Sequence, residues 1–102
     1  MATLNIVNKS PFEKLSLEQC LNRAAAGSSL LLTEDAVNAA VSGTAFAARL
    51  SEAAKSLTLY VLQPDLAARG FNDATLLSEF TTVDYPGFVK LVTEHERVHS
   101  WL

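Results

Sequence analysis

The sequence lacks most of the residues from which dedicated ligand sites are built. Its 102 residues include one cysteine and four glycines, and the glycines are never clustered. A lone cysteine excludes an intramolecular disulfide and is consistent with a reducing compartment. Without clustered glycines, neither a dinucleotide-binding fingerprint nor a phosphate-binding loop can be written. We therefore expect no nucleotide and no other cofactor.

Long apolar runs and an excess of positive charge are also missing. No run approaches the roughly 18–20 apolar residues that cross a bilayer. The N-terminus has no basic patch followed by an apolar stretch, as a secretory signal would. The net charge is −3, and the basic residues are scattered between acidic ones, which argues against direct binding of nucleic acid. We expect a cytoplasmic protein with no membrane partner.

The pattern of apolar runs predicts one α/β domain over residues 1–102. Predicted strands lie at Thr3–Val7, Ser28–Thr33, Leu57–Leu62 and Phe80–Val83. Predicted helices run from Ser16 to Gly27, over Asp35–Val41 and Thr44–Lys55, briefly after Pro64, and from Asp84 to about Val98. This alternation is typical of a Rossmann-like or flavodoxin-like layer fold. Its sheet should be mostly parallel, with about four to five strands flanked by helices.

Polar residues follow each predicted strand and should meet at the carboxyl edge of the sheet, where ligands and partners usually bind in such folds. These residues are Asn8, Ser10, Glu34, Asp35, Asp65, Arg69, Asp84 and Tyr85. They could line an interface or a site. The alternative, which we favour for each aspartate taken separately, is that Asp35, Asp65 and Asp84 are helix N-caps. The spacing of Ser16 and Gln19 likewise predicts a capping box.

The segment from His95 to His99 matches the H-E-x-x-H pattern of zinc proteases. On a helix, that pattern places two imidazoles on one face beside a glutamate. Only three residues follow His99, so a downstream third ligand is impossible. We reject a metal site and expect His95 to pack at the edge of an apolar stripe, with His99 in solvent.

Cys20 is the chain's only thiol, and the sequence leaves two interpretations of it open. Near the start of a helix, the dipole would lower the pKa of the thiol, and a thiolate can accept sulfur as a persulfide. However, Cys20 shares the apolar side of its helix with Leu17 and Leu21. A buried cysteine is commonly a small, inert hydrophobic residue.

Five blocks together resemble the DsrH/TusB family, the smallest subunit of the DsrEFH and TusBCD sulfur-relay complexes. The blocks are Asn8–Phe12, Glu34–Val37, Leu57–Gly70, Val83–Val89 and Trp101–Leu102. The resemblance covers nearly the whole chain. A cysteine in the first helix, after the Asn8–Phe12 block, looks more like DsrH than like TusB.

The resemblance implies a complex with two homologous subunits, DsrE- and DsrF-like (TusD- and TusC-like), and sulfur exchange with a DsrC/TusE-like carrier. The pathway would be sulfur oxidation, or alternatively 2-thiolation of the tRNA wobble uridine. In the family, the principal sulfur-accepting cysteine lies on the DsrE/TusD subunit. Cys20 would then be a secondary acceptor or a docking thiol, and enzymatic activity of this chain itself stays open. The other alternative is a purely structural subunit.

The C-terminal residues Trp101 and Leu102 are candidate interface residues. Tryptophan buries a large rigid surface and is enriched at interface centres. A domain this small also leaves sheet edges and helix faces uncovered. We therefore expect the isolated chain to be poorly soluble or to self-associate, and partner subunits to rescue it. The alternative for Trp101 is that it folds back onto its own last helix.

Overall fold

In a computed structural model, which describes residues 3–10, 12, 14–72 and 75–101, the chain forms a five-stranded parallel sheet with helices on both sides. The strands are β1 (Thr3–Val7), β2 (Ser29–Leu32), β3 (Thr58–Leu62), β4 (Phe80–Val83) and β5 (Arg97–Trp101). The α-helices are α1 (Ser16–Arg23), α2 (Ala47–Ala53), α3 (Gln63–Ala68) and α4 (Tyr85–Glu94). A 3₁₀ helix, Glu34–Ala40, precedes α2.

The strands lie in the order β4-β3-β2-β1-β5, and each neighbouring pair is parallel. The chain therefore adds β2, β3 and β4 in one direction and then returns across the whole sheet to place β5 beside β1. Right-handed crossovers put the first helices on one side of the sheet and the returning helix on the other. The predicted fold class is confirmed.

The two sides of the sheet have different cores. The larger core joins α1, the 3₁₀ helix, α2 and α3 to one side, which we call the closed side, and it contains Leu30, Leu32, Val37, Leu50 and Val61. On the other side, α4 packs alone, and the buried core there is Leu4, Leu31 and Leu91. Half-buried residues surround this small core: Ile6, Tyr60, Val83 and Phe88.

The predicted end of the last helix is wrong. The helix ends at Glu94, and residues 97–101 form the edge strand β5 instead of a continued helix. His95 ends the helix because its Nδ1–H donates to the carbonyl of Leu91 at 2.6 Å while its backbone is already extended. The open edge of β1 then supplies the hydrogen-bond partner for β5, and Val98 lies beside Leu4.

The predicted helix starts are confirmed only in part. The Asp84 carboxylate accepts a hydrogen bond from the Gly87 N–H at 2.8 Å and caps α4 as expected. Helix α1 starts after Leu15 with no side-chain cap, so Ser16 does not form the predicted capping box. Asp35 and Asp65 lie inside the first turns of their helices and are not N-caps. Within the described ranges, no helix combines the length and apolar character needed to cross a bilayer.

Candidate functional site

The carboxyl edge of the sheet carries a clamp of charged side chains. Arg69, just after α3, donates from Nε and Nη2 to Asp35 Oδ1 at 3.1 and 2.8 Å. Its Nη1 donates to the backbone carbonyl of Asp65 at 3.1 Å. The predicted meeting of residues that follow β2 and β3 is confirmed, because parallel strands bring their carboxyl ends to the same edge. The clamp joins the 3₁₀ helix to α3.

Asp65 has a different role from the predicted one. Its Oδ2 accepts the Glu34 N–H at 2.6 Å, across 31 positions of sequence. Among the described residues, Glu34 is the non-glycine residue with a positive φ, +50°, a conformation that usually costs energy and needs support from its surroundings. The Asp65 carboxylate therefore holds a strained turn in place between β2 and the 3₁₀ helix.

The outer end of the same edge has an open depression of about 450 Å³. It lies where β3 and β4 end and is lined by Gln63, Thr82, Val83, Asp84 and Gly87. One Asp84 oxygen is already used to cap α4. The depression is wide open, and the Asp84 carboxylate that lines it also caps α4.

Cys20 lies fully inside the closed side of the sheet, with 0% of its surface exposed. It packs in the larger core with Leu17 and Leu21. Burial raises the pKa of the thiol from its ordinary value of 9.0 to about 12, because a thiolate would lose its hydration there. This direction is opposite to the one expected from the helix dipole, and it favours the inert interpretation that the sequence left open. A role in sulfur transfer stays a prediction.

Trp101 folds back onto its own chain. Its Nε1–H donates to Asn5 Oδ1 at 3.1 Å, and its ring packs against the larger core. Its other ring face stacks on His99, with centroids 4.3 Å apart. These contacts favour the alternative to an interface role, in which Trp101 folds back onto its own chain. The surface that it covers is β1, however, and not the last helix as expected. The second interface candidate, Leu102, lies outside the described residues.

Asn5 is a buried residue whose role the sequence did not reveal. Its Nδ2 donates to the Ser29 carbonyl at 3.1 Å while its Oδ1 accepts from Trp101. The Ser29 hydroxyl in turn lies 2.8 Å from His95 Nε2. The Leu91 carbonyl can only accept a hydrogen bond, so Nδ1 of His95 carries the hydrogen. In a neutral ring Nε2 then carries none, and it accepts a hydrogen bond from the Ser29 hydroxyl. The network ties both ends of β5 to the centre of the sheet.

The two histidines of the H-E-x-x-H pattern are not on one helix face. His95 follows α4, and His99 lies on β5 with an exposed side chain. Both ring nitrogens of His95 have partners in the fold. His99 is exposed as expected, but because it lies on β5, whereas His95 is half-buried and held by hydrogen bonds to the Leu91 carbonyl and the Ser29 hydroxyl.

Exposed apolar residues on α4 are the feature that the sequence reasoning missed. Tyr85, Val89 and Val92 are 57%, 62% and 38% exposed. Their i, i+4, i+7 spacing puts them in one row, and this spacing could have been noticed beside the buried row of Phe88 and Leu91. A row of this kind marks a contact surface more clearly than Trp101 does.

The fold is that of a known group of small α/β proteins. The crystal structure of the ychN protein from E. coli superposes with a TM-score of 0.79 and covers 98% of this chain and 99% of that one, at 17% sequence identity. At this identity, the likeness concerns the fold alone.

Sequence comparison assigns the family. The profile of the DsrH-like protein family matches residues 9–98. Protein TusB of Pectobacterium parmentieri is 34% identical over 98 residues, which are 96% of this chain and 99% of the relative. Protein TusB of Shigella flexneri is 32% identical over the same share of both chains. The chain belongs to the DsrH/TusB family of sulfur-relay subunits.

The expectation that the chain is closer to DsrH than to TusB is not supported. The curated relatives reported above carry the name TusB, and they match end to end. A cysteine in the first helix was the sequence basis for the DsrH preference, and here that cysteine is a core residue. Between the two branches of the family, the relatives reported above favour TusB.

Proposed function

We propose that this chain is the TusB-like subunit of a cytoplasmic sulfur-relay complex that serves 2-thiolation of the tRNA wobble uridine. The observation that carries the proposal is the end-to-end similarity to TusB proteins. The match covers 99% of the length of each of the two relatives. Its partners would be TusC- and TusD-like subunits, two copies of each chain, and a TusE-like carrier. Another subunit would hold the tRNA, since this chain carries a net charge of −3.

Within that complex, the burial of Cys20 favours an architectural part for this chain. Sulfur exchange proceeds through a thiolate that reaches the donor sulfur. A thiol with no exposed surface and a pKa of about 12 is neither reachable nor ionised at neutral pH. The principal sulfur acceptor would then lie on the TusD-like subunit, and the present chain would complete the assembly.

The test is deletion of this chain's gene in its source organism, followed by mass spectrometry of tRNA nucleosides. We expect 2-thiouridine to fall and to return when the wild-type chain is supplied. The Cys20→Ala chain should restore it equally well if the architectural proposal holds. Copurification with a tagged chain should recover two homologous subunits in equal amounts.

Two results would contradict the proposal. Unchanged 2-thiouridine in the deletion strain, together with impaired oxidation of stored sulfur, would assign the chain to a DsrH-type complex. Failure of Cys20→Ala to restore thiolation, with the complex still assembled, would instead give Cys20 the acceptor role.

A further inference from the structure

Strand β4 is one edge of the sheet, and its backbone pairs with β3 on one side only. The direction of the backbone groups in β3 follows from one hydrogen bond, in which the Thr58 N–H donates to the Ser28 carbonyl, on the β2 side, at 3.1 Å. Along a strand, the N–H and C=O groups of successive residues point alternately to the two neighbouring strands. Leu59 and Val61 therefore direct theirs toward β4.

The same rule identifies the free backbone groups of β4. Leu59 and Val61 lie opposite Phe80 and Thr82, and in a parallel ladder a residue bonds to the neighbours of the residue opposite it. Phe80 and Thr82 therefore direct their own N–H and C=O groups away from the sheet. The Phe80 N–H donates to the Leu77 carbonyl at 3.1 Å. Within the described residues, Thr82 is left with both an outward N–H and an outward C=O.

The open depression of about 450 Å³ lies beside this edge, and Thr82 lines part of it. Its volume is within the range of ligand pockets. The position is also a topological switch point, because β3 leads into α3 on the closed side of the sheet and β4 leads into α4 on the other side. Ligands bind preferentially at such points in parallel sheets. The depression has room for one long side chain of a strand that lies along β4.

The chain around this edge is acidic. No lysine or arginine occurs between Arg69 and Lys90. Glu79 directly precedes β4, and Asp84 directly follows it. One Asp84 oxygen caps α4, and the other has no partner among the described residues. The edge therefore carries negative charge that no nearby basic residue in the sequence balances, and it is complementary to a basic partner.

We propose that the outer edge of β4 binds an extended, basic segment of a partner protein as a sixth strand, with a lysine or arginine of that segment in the depression against the Asp84 carboxylate. Strand addition takes its affinity from backbone hydrogen bonds and its specificity from pockets beside the edge. Thr82 supplies the backbone groups, and Asp84 supplies the charge. The opposite edge strand, β5, is less suited because it contains Arg97, and a charge within an edge strand opposes further pairing.

The test is an NMR titration of the full-length, isotope-labelled chain with a capped hexapeptide in which threonine and valine alternate between two terminal lysines. The peptide has a lysine at each end because Glu79 and Asp84 flank the two ends of β4. We expect saturable shifts of the signals of residues 80–84. The Thr82 amide should exchange its hydrogen more slowly in the complex, because its N–H gains an acceptor. The same peptide with terminal glutamates should bind at least about tenfold more weakly.

Two substitutions separate the backbone contribution from that of the charge. Thr82→Pro removes the outward donor without removing a hydrogen bond to β3, and it should weaken binding of the lysine peptide at least about tenfold. Asp84→Asn keeps an oxygen that can cap α4 but removes the charge, and it should weaken binding about threefold. The matched control, Glu96→Gln, removes the same charge at an exposed position before β5 and should leave binding unchanged. Thermal unfolding shows whether each variant is folded.

Several outcomes would overturn the proposal. The lysine peptide could fail to bind or could leave the Thr82 amide unprotected at saturation, the glutamate peptide could bind equally well, or a folded Thr82→Pro chain could bind unchanged. If Thr82→Pro does not fold, the protection of the Thr82 amide and the effect of Asp84→Asn decide, and unchanged binding by Asp84→Asn would contradict the role given to the carboxylate. None of these results depends on the proposed part in tRNA thiolation.

Discussion

The two sides of the sheet are built from the same kind of strand but are covered to different extents. On the closed side, all five strands contribute residues to the larger core, and Leu30, Leu32 and Val61 have no exposed surface. On the α4 side, one helix leaves Val98 and its own outer row in solvent. The first side supplies the stability of the single chain, and the second has spare apolar surface for a partner. Stability and assembly should therefore respond to different residues.

The largest expected effect compares the same substitution on the two sides. Val61→Ala should lower the free energy of unfolding by about 2–3 kcal/mol, because it removes two buried methyl groups and leaves a cavity. Val89→Ala should change it by less than about 0.5 kcal/mol, since its side chain is already mostly in solvent. Urea titrations followed by circular dichroism measure both. Equal losses would mean that the two sides contribute equally to the single chain.

The attachment of β5 should depend on Asn5. Asn5→Leu keeps the approximate shape but leaves the Trp101 indole N–H without its partner and removes the side-chain hydrogen bond to the Ser29 carbonyl. We expect a loss of about 2 kcal/mol and faster hydrogen exchange in residues 97–101. Adding Trp101→Phe in the Asn5→Leu background should recover part of the loss, because it removes the stranded donor. No coupling in this double-mutant cycle would mean that the hydrogen bond does not hold β5.

Cys20 should behave as a core residue of the closed side. Cys20→Ala should cost about 1–2 kcal/mol of stability at pH 7. In the folded chain, the thiol should react with N-ethylmaleimide only as fast as the protein unfolds, since burial keeps it from solvent. Intact-mass analysis after exposure to a sulfur donor provides the direct check. One added sulfur atom on the folded chain would mean that Cys20 does accept sulfur, contrary to the inert interpretation.

The raised pKa of Cys20 also predicts how stability depends on pH. The folded thiol ionises near pH 12 and the unfolded one near pH 9. Below pH 9 the thiol is protonated in both the folded and the unfolded state, so the free energy of unfolding has its full value. As the pH rises from 9 toward 12, only the unfolded state releases the proton, and stability falls by at most about 1.4 kcal/mol per pH unit. The difference in unfolding free energy between wild type and Cys20→Ala isolates this effect, because other titrating groups cancel. A pH-independent difference would show that the thiol is not buried.

The smallest effect should come from the helix cap on the α4 side. Asp84→Ala removes the carboxylate that accepts the Gly87 N–H. The expected loss is about 1 kcal/mol, and Asp84→Asn, whose amide oxygen can still accept, should lose less. Thermal unfolding of the two variants gives the comparison. Equal losses for both would mean that the charge, and not the hydrogen bond, stabilises the start of α4.

Some residues whose role depends on near neighbours in sequence were predicted correctly, although the capping box at Ser16 was not. The apolar run before Pro64 defines β3, and Asp84 caps α4 through a contact only three residues away. The meeting of Asp35 and Arg69 at the carboxyl edge also followed from the predicted parallel direction of the strands, although their pairing did not. Asp65 was misassigned because its partner, Glu34, lies 31 positions away. In a single sequence, an aspartate that caps its own helix cannot be distinguished from one that binds a residue far away along the chain.

The sequence by itself determined the α/β class, β1 and β4 to the residue, and the family. Each of these depends on local periodicity or on a pattern that extends along the chain. Only the tertiary structure decided that residues 97–101 are a strand, that Trp101 binds Asn5 across 96 positions, and that Cys20 is enclosed. The physical reason is that a strand is stabilised by hydrogen bonds to the strand beside it, and that a residue is buried by the elements that pack over it. Neither of those partners is near in sequence, so local pattern cannot identify them.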